Sequence, residues 1–256
     1  MEQLIRDLTS SKNQGRPDAI NVIQRQIQRL QREPAAWQTG LDLLNSQDQV
    51  LQFYGALTLN LKVNADWDTD KIGEDRNQIS QLIEQLTVTY VKVCSTSDSD
   101  VVISKLSSTL AAVFGKPSAA WAHPCRHVLA CALAGRYVSQ AQNPCMSEML
   151  GARATISGHA LKAVLRLALA LQEELSPNTK NHIGHRAEIQ LSNNASDVWH
   201  LIQFTLATFC PRVGIGEQLS IDHNLQVETT EHYIIKVIAE ALQQIPVSIP
   251  HQSPLF

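Results

Sequence analysis

From Pro17 to Glu33 the apolar residues Ala19, Ile20, Val22, Ile23, Ile27 and Leu30 recur mainly at every third or fourth position. That spacing gathers them on one stripe of an α-helix. Pro17 suits the first helical turn, where its missing N–H leaves nothing unsatisfied. Pro34 stops this helix and can open the next, which carries Trp37, Leu41, Leu43 and Leu44. Ser46-Gln47-Asp48-Gln49 then reads as a capping box, with Ser46 and Gln49 satisfying exposed N–H groups reciprocally. A third helix, predicted over 50–64, is apolar at Val50, Leu51, Phe53, Tyr54, Ala56, Leu57, Leu59, Leu61 and Val63. Only Gly55, Thr58 and Lys62 leave a small or polar strip. A helix that apolar is packed on two or three sides.

Residues 64–77 read as a polar acidic loop. The next helix is predicted over 78–94, with Ile79, Leu82, Ile83, Leu86 and Tyr90 on one stripe. Its Thr- and Val-rich end permits a strand over 88–93, but no neighbouring segment alternates like a partner strand, so the helix is preferred. Ser97 to Asp100 supply cap residues for a helix over 101–114, which Gly115 and Pro117 stop. The stretch 116–146 is loop-rich around a helix at 128–136. A strong helix is expected over 147–175. Residues 183–191 give no clear signal, 196–209 are helical, and 211–216 break that helix. Weak alternation at 219–227 suggests a short extended piece. A helix over 230–243 carries Tyr233, Ile234, Val237, Ile238 and Leu242, and a proline-rich tail follows over 246–256.

No segment provides a strand–helix–strand unit, so the expected fold is all-α. The helix pair 34–64 is followed by the pair 78–114. Their second helices start about fifty residues apart, close to the ~40–47-residue period of HEAT repeats. Each pair alone would leave an apolar face in water, and stacking pair on pair buries it. The expected architecture is a truncated HEAT-repeat α-solenoid of antiparallel helix pairs. It forms one segment over 1–256, with its clearest repeats at 17–115, the loop-rich stretch 116–146, further repeats at 147–245, and the tail.

Of the 256 residues, 44% are hydrophobic and 18% charged, which fits a folded chain, and the net charge of −3 provides no broad basic field for nucleic acid. The cysteines Cys94, Cys125, Cys131, Cys145 and Cys210 are odd in number and contain no CxxC pair. They read as free, mostly buried thiols of a reducing compartment. Met1 to Asp7 lacks the basic and apolar regions of a secretory signal. The run Leu161–Leu171 is interrupted by Lys162 and Arg166 and is too short for a span of ~20 residues. An intracellular protein without membrane insertion is expected, in which the sequon Asn194-Ala195-Ser196 stays unmodified.

Chemical motifs are few. His123-Pro124-Cys125-Arg126-His127 and His182-Ile183-Gly184-His185 come closest to metal-ligand spacing, but Pro124 interrupts the first and no third ligand is marked. Asp66-Trp67-Asp68-Thr69-Asp70 opens like a calcium loop, yet Lys71 and Asn77 stand where Gly and Glu are required. Gly214-Ile215-Gly216 lacks the third glycine and flanking strand of a dinucleotide site. No nucleophile elbow or P-loop occurs. No enzyme activity, metal or cofactor is therefore expected. Trp37, Trp67, Trp121 and Trp199 read as packing residues.

Two runs are more specific. Ala36-Trp37-Gln38-Thr39-Gly40-Leu41-Asp42-Leu43-Leu44, followed by the run from Val50 through Gln52-Phe53-Tyr54-Gly55-Ala56-Leu57-Thr58-Leu59 to Lys62, resembles the importin-β (karyopherin-β) superfamily. The form is similar to the amino-terminal repeats of its importin-thirteen and transportin-SR branch. Ile103-Ser104-Lys105-Leu106 through Ala111 resembles the second helix of the next repeat, and Leu161 to Leu175 resembles a later one. The resemblance covers 17–115 best and 147–210 less closely.

That resemblance implies an amino-terminal portion of a much longer nuclear transport receptor. Its partners would be the small GTPase Ran in its GTP form, protein cargo and nucleoporins, and it would shuttle between cytoplasm and nucleus. Ran-GTP and cargo would then be linked by reciprocal coupling. In the family the second helices of early repeats line the concave surface. With periodicity as guide, this implies Gln24, Gln28, Gly55, Thr58, Lys62, Lys105, Ser108, Lys162 and Arg166 as Ran-facing positions, beside His159. If the following repeats are missing, the helix at 230–243 exposes apolar surface and the isolated chain aggregates. Two other readings stay open: a HEAT or armadillo scaffold outside transport, and a helical metalloenzyme using His123, Cys125, His127, His182 or His185.

Overall fold

The computed structural model describes residues 1–10, 16–67, 74–97, 99–151, 156–175 and 185–209. Among these residues there are ten α-helices and no strand. They are α1 (Glu2–Thr9), α2 (Pro17–Gln31), α3 (Ala36–Leu44), α4 (Gln49–Leu61), α5 (Arg76–Thr96), α6 (Asp100–Gly115), α7 (Pro124–Ala134), α8 (Met146–Gly151), α9 (Gly158–Leu175) and α10 (His185–Phe209). No described helix is long and apolar enough to cross a membrane. The expected helix at 230–243, the extended piece at 219–227 and the tail lie outside the described residues.

Local chemistry sets the helix ends, and in places it corrects the sequence reading. Asp48, not Ser46, caps α4: its Oδ1 accepts from the Val50 N–H at 2.9 Å. Ser46 sits one turn earlier, where its Oγ accepts from the Asp48 N–H at 3.1 Å and its carbonyl accepts from the Gln52 side chain at 2.8 Å. A carboxylate one residue from the helix start outcompetes a hydroxyl three residues from it. α4 runs on into a wider π-helical turn over Lys62–Asp66. Pro124 opens α7 rather than interrupting it, and Gly135 closes it in the left-handed conformation at φ 62°. The continuous helix expected over 147–175 is two helices, because Ser157 caps α9 by accepting from the Ala160 N–H at 3.2 Å. The short α1, which the periodicity did not mark, buries Ile5 completely against Ile27, Leu43 and Leu51.

The helices pack in pairs, α1 on α2, α3 on α4 and α5 on α6, each adjacent in sequence, and α7 on α9 across the short α8. The second member of each later pair also packs on the next, α4 on α6 and α6 on α9. Side-chain bonds fix the directions. Tyr90 of α5 donates to the Ala163 carbonyl of α9 at 2.7 Å and meets Ser107 of α6 at 2.8 Å. His159 lies against the Cys94 carbonyl at 3.2 Å. Thus α9 starts where α5 ends, and the two run antiparallel. Asp100 reaches Lys162 and Arg166 while Ser108 bonds Glu174, so α6 and α9 run in the same direction. Trp67 Nε1–H on Ser118 Oγ (3.1 Å) joins the ends of α4 and α6, and Gln31 on Thr58 (3.0 Å) joins the ends of α2 and α4. The second helices α4, α6 and α9 therefore lie side by side and parallel, and α2 meets α4 at its end.

One core runs through this stack from Leu41 to Phe204 and includes Trp67, Tyr90, Phe114 and Trp121. Trp37 packs against its edge. Trp199 departs from the packing role expected of it and is 44% exposed. α3 and α4 cross at two glycines. A Cβ on Gly55 would lie 2.7 Å from the Gly40 carbonyl oxygen, so only a side chain of hydrogen fits there.

Candidate interaction face

The open sides of α4, α6 and α9 form one face, since these helices are parallel and packed on one another. Lys105, Ser108, Lys162 and Arg166 of the family-implied positions lie on it. Gln24 and Gln28 are exposed on α2, and Lys105 and Ser108 are half-buried on the open side of α6. On α9, His159 is exposed while Lys162 and Arg166 are half-buried. Lys162 and Arg166 bridge to Asp100 at 3.4 and 3.6 Å.

Gly55, Thr58 and Lys62 do not lie on this face. Gly55 is the crossing point with α3. Thr58 is fully buried, donating to the Tyr54 carbonyl at 2.7 Å and accepting from Gln31 at 3.0 Å. The Lys62 side chain is 0% exposed; its Nζ pairs with Asp66 at 2.9 Å and lies 5.7 Å from the Trp37 ring centre. The strip that hydropathy left small and polar is thus a packing strip. Small residues let helices approach closely, and the polar groups find partners inside the stack. The strip of α4 that does face water is apolar: Val50 and Leu61 are 39% and 42% exposed, with Leu57 half-buried between them and Phe53 and Tyr54 as shoulders.

Sequence reasoning also passed over the arginines of α2. Arg29 and Arg32 line a cavity of about 540 Å³ together with Gln28, Gln31, Leu61, Ala65 and Asp66. The signal was present as Arg25, Arg29 and Arg32 at i, i+4 and i+7. It could be read only once the outward side of α2 was known.

The metal candidates separate into different networks. His123 Nδ1 meets Asp197 Oδ2 at 3.1 Å, and Arg126 donates to Asp197 Oδ1 at 2.7 Å, so this carboxylate ties α7 to α10. His127 is fully buried. Its Nδ1 accepts from Trp121 Nε1–H at 3.0 Å, which places the ring proton on Nε2 for the Val138 carbonyl at 2.7 Å. Burial lowers its pKa from the ordinary 6.5. The buried Cys125 thiol is pushed far up by desolvation and by Asp197. Among the described residues no three His, Cys, Asp or Glu side chains gather around a common point. His182 lies outside the described residues, and His185 begins α10.

No family model matches the chain. Over 68 residues, 27% of its length, the chain is 38% identical to the importin beta-like protein kap111 of Schizosaccharomyces pombe. The matched part makes up 7% of that protein, so the chain corresponds to a small part of its relative. The described residues are thus all-helical, and the chain has a distant, partial similarity to an importin beta-like protein.

Proposed function

We propose that this chain is an amino-terminal HEAT-repeat segment of a karyopherin-β nuclear transport receptor. Its second-helix face recognises Ran in the GTP form, and it shares cargo and nucleoporin contacts with further repeats while moving between cytoplasm and nucleus. The observation that carries this reading is the parallel row of α4, α6 and α9. Such a row arises when helix pairs of one kind are stacked in one direction, as the partial importin-β similarity leads one to expect. Recognition on this face is by surface complementarity, with no bond made or broken. Lys105, Ser108, Lys162 and Arg166 are the positions we assign to it.

The test is binding of the chain to Ran loaded with a non-hydrolysable GTP analogue, beside Ran-GDP. A clear preference for the GTP form is expected, and Lys105→Glu weakens it without unfolding the chain. Equal binding to both forms, also with the chain extended beyond Phe256, overturns the reading in favour of a helical scaffold outside transport.

A further inference from the structure

The cavity of about 540 Å³ at the meeting ends of α2 and α4 is lined on the α2 side by Arg29 and Arg32. Three positions apart, they share one side of the helix end. Both are exposed, and among the described residues neither guanidinium is joined to a carboxylate. On the α4 side the lining is Leu61, Ala65 and Asp66. Asp66 is already engaged, since its Oδ2 accepts from Lys62 Nζ at 2.9 Å. Leu61 is 42% exposed and Ala65 is exposed, so the α4 side offers apolar surface to an occupant. The walls are held in place from behind. Gln31 donates to Thr58 at 3.0 Å, which ties α2 to α4. The buried Lys62, 5.7 Å from the Trp37 ring centre, ties the π-helical turn that carries Ala65 and Asp66 to α3.

We infer that this cavity binds a short acidic segment of a protein partner, with two carboxylates on Arg29 and Arg32 and an aliphatic side chain against Leu61 and Ala65. Each guanidinium presents a planar fork of donors that matches a carboxylate. Gln28, also in the lining, carries both an amide donor and a carbonyl acceptor, the two groups a peptide backbone requires. The volume falls in the range of about 300–1,000 Å³ typical of pockets for organic ligands. A lone phosphate would leave most of that volume and the apolar wall in water, and it would set a double charge beside Asp66. A nucleic-acid strand needs a basic field along its length, which two arginines on a chain of net charge −3 do not supply. The site goes beyond Ran recognition by the face of α4, α6 and α9, because it uses none of Lys105, Ser108, Lys162 and Arg166.

The test titrates the full chain into fluorescent peptides and follows their anisotropy. The peptides carry Glu-Leu-Glu, Gln-Leu-Gln, Glu-Ser-Glu or Lys-Leu-Lys between the same glycine and serine flanks. The Glu-Leu-Glu peptide binds, and the Gln-Leu-Gln and Glu-Ser-Glu peptides bind several-fold more weakly. The double variant Arg29→Glu/Arg32→Glu weakens the Glu-Leu-Glu peptide by about tenfold or more and gains affinity for Lys-Leu-Lys. Leu61→Ser weakens the Glu-Leu-Glu peptide by about fivefold. Arg25→Glu, on the same helix but outside the cavity lining, leaves it within about twofold, because an exposed charge at a distance is screened. These positions are exposed, and circular dichroism melts check that each variant keeps the fold. Absence of binding up to about 1 mM peptide overturns the inference. So does an Arg25→Glu loss as large as that of the double variant, which would mean diffuse attraction. Equal affinity for Glu-Ser-Glu, or displacement of the peptide by inorganic phosphate as readily as by unlabelled peptide, also overturns it, in favour of a simple anion site. The outcomes separate from those for Ran. A chain that prefers Ran-GTP and ignores the peptide loses this inference alone, and one that binds the peptide without that preference keeps it.

Discussion

Replacing Gly55 by alanine sets two opposing effects against each other at one atom. Alanine favours a helix interior over glycine by about 1 kcal/mol. Here the added methyl would lie 2.7 Å from the Gly40 carbonyl oxygen, 3.1 Å from Leu43 Cβ and 3.1 Å from Leu44 Cγ. The nearest obstacle is backbone, which cannot rotate away, so α3 and α4 must part. Overpacking of that kind costs about 1–3 kcal/mol, and parting the helices also loosens the contact of Leu41, Leu44 and Leu59. The net expectation is a loss of about 1–2 kcal/mol. Gly40→Ala is the internal control. Its methyl would meet Leu59 Cγ and Cδ2 at 2.8 and 2.9 Å, with the backbone farther off at the Gly55 carbonyl oxygen, 3.3 Å, so a side-chain adjustment rather than parting of the helices relieves most of the clash. Its cost should be smaller, about 0–1 kcal/mol. Urea unfolding followed by circular dichroism measures both at equal m-value. A Gly55→Ala variant as stable as the parent, or a Gly40→Ala variant less stable than Gly55→Ala, would refute the close-crossing argument.

Other predictions follow from buried groups. His127 is held neutral with its pKa lowered by burial, so the unfolded state binds the proton more readily. The stability this contributes is present above about pH 6.5 and is lost as pH falls below it. His127→Asn should flatten that slope while costing about 1–3 kcal/mol at neutral pH; an unchanged slope in pH-resolved unfolding would count against it. Asp197→Ala leaves Arg126 and His123 without their carboxylate. Because both keep some exposure, 23% and 36%, the loss should be about 3 kcal/mol, the low end for a broken buried pair. Hydrogen exchange should rise in α7 and α10 and leave α3 and α4 unchanged. Burial pushes the Cys94 thiol up to about 12, and Cys125 and Cys131 are also raised. Alkylation of the native protein, mapped by mass spectrometry, should therefore modify half-buried Cys145 first among these four; faster labelling of Cys94 would show that the core opens.

Most helix ends were legible because they are local events. Pro17 at a first turn, Gly115 with Pro117 at a stop, and the stripe Ile79, Leu82, Ile83, Leu86 and Tyr90 act within a few residues of themselves. The capping misassignment at Ser46 and the merged helix over 147–175 show the limit of that locality. In both, one nearby side chain, Asp48 or Ser157, supplied the better acceptor. Helix α1 was missed because so short a helix is held by packing on its neighbours rather than by its own pattern.

By itself the sequence determined that the chain is helical, roughly where helices begin and end, and that their apolar surfaces are too wide to stand alone. These properties follow from backbone hydrogen bonding and from a periodicity of 3.6. Which side of each helix meets water was decided only by tertiary packing. Gly55, Thr58 and Lys62 look like an exposed strip when α4 is considered alone, and they are enclosed once α3 and α1 pack against it and Gln31 reaches Thr58. The open side carries Val50, Leu57 and Leu61 instead. Asp197 is read as one more polar helix residue until the fold brings Arg126, 71 positions away, to its carboxylate. A side chain's neighbours in space are set by the whole stack, so one helix's periodicity gives the width of its buried face but not which elements cover it.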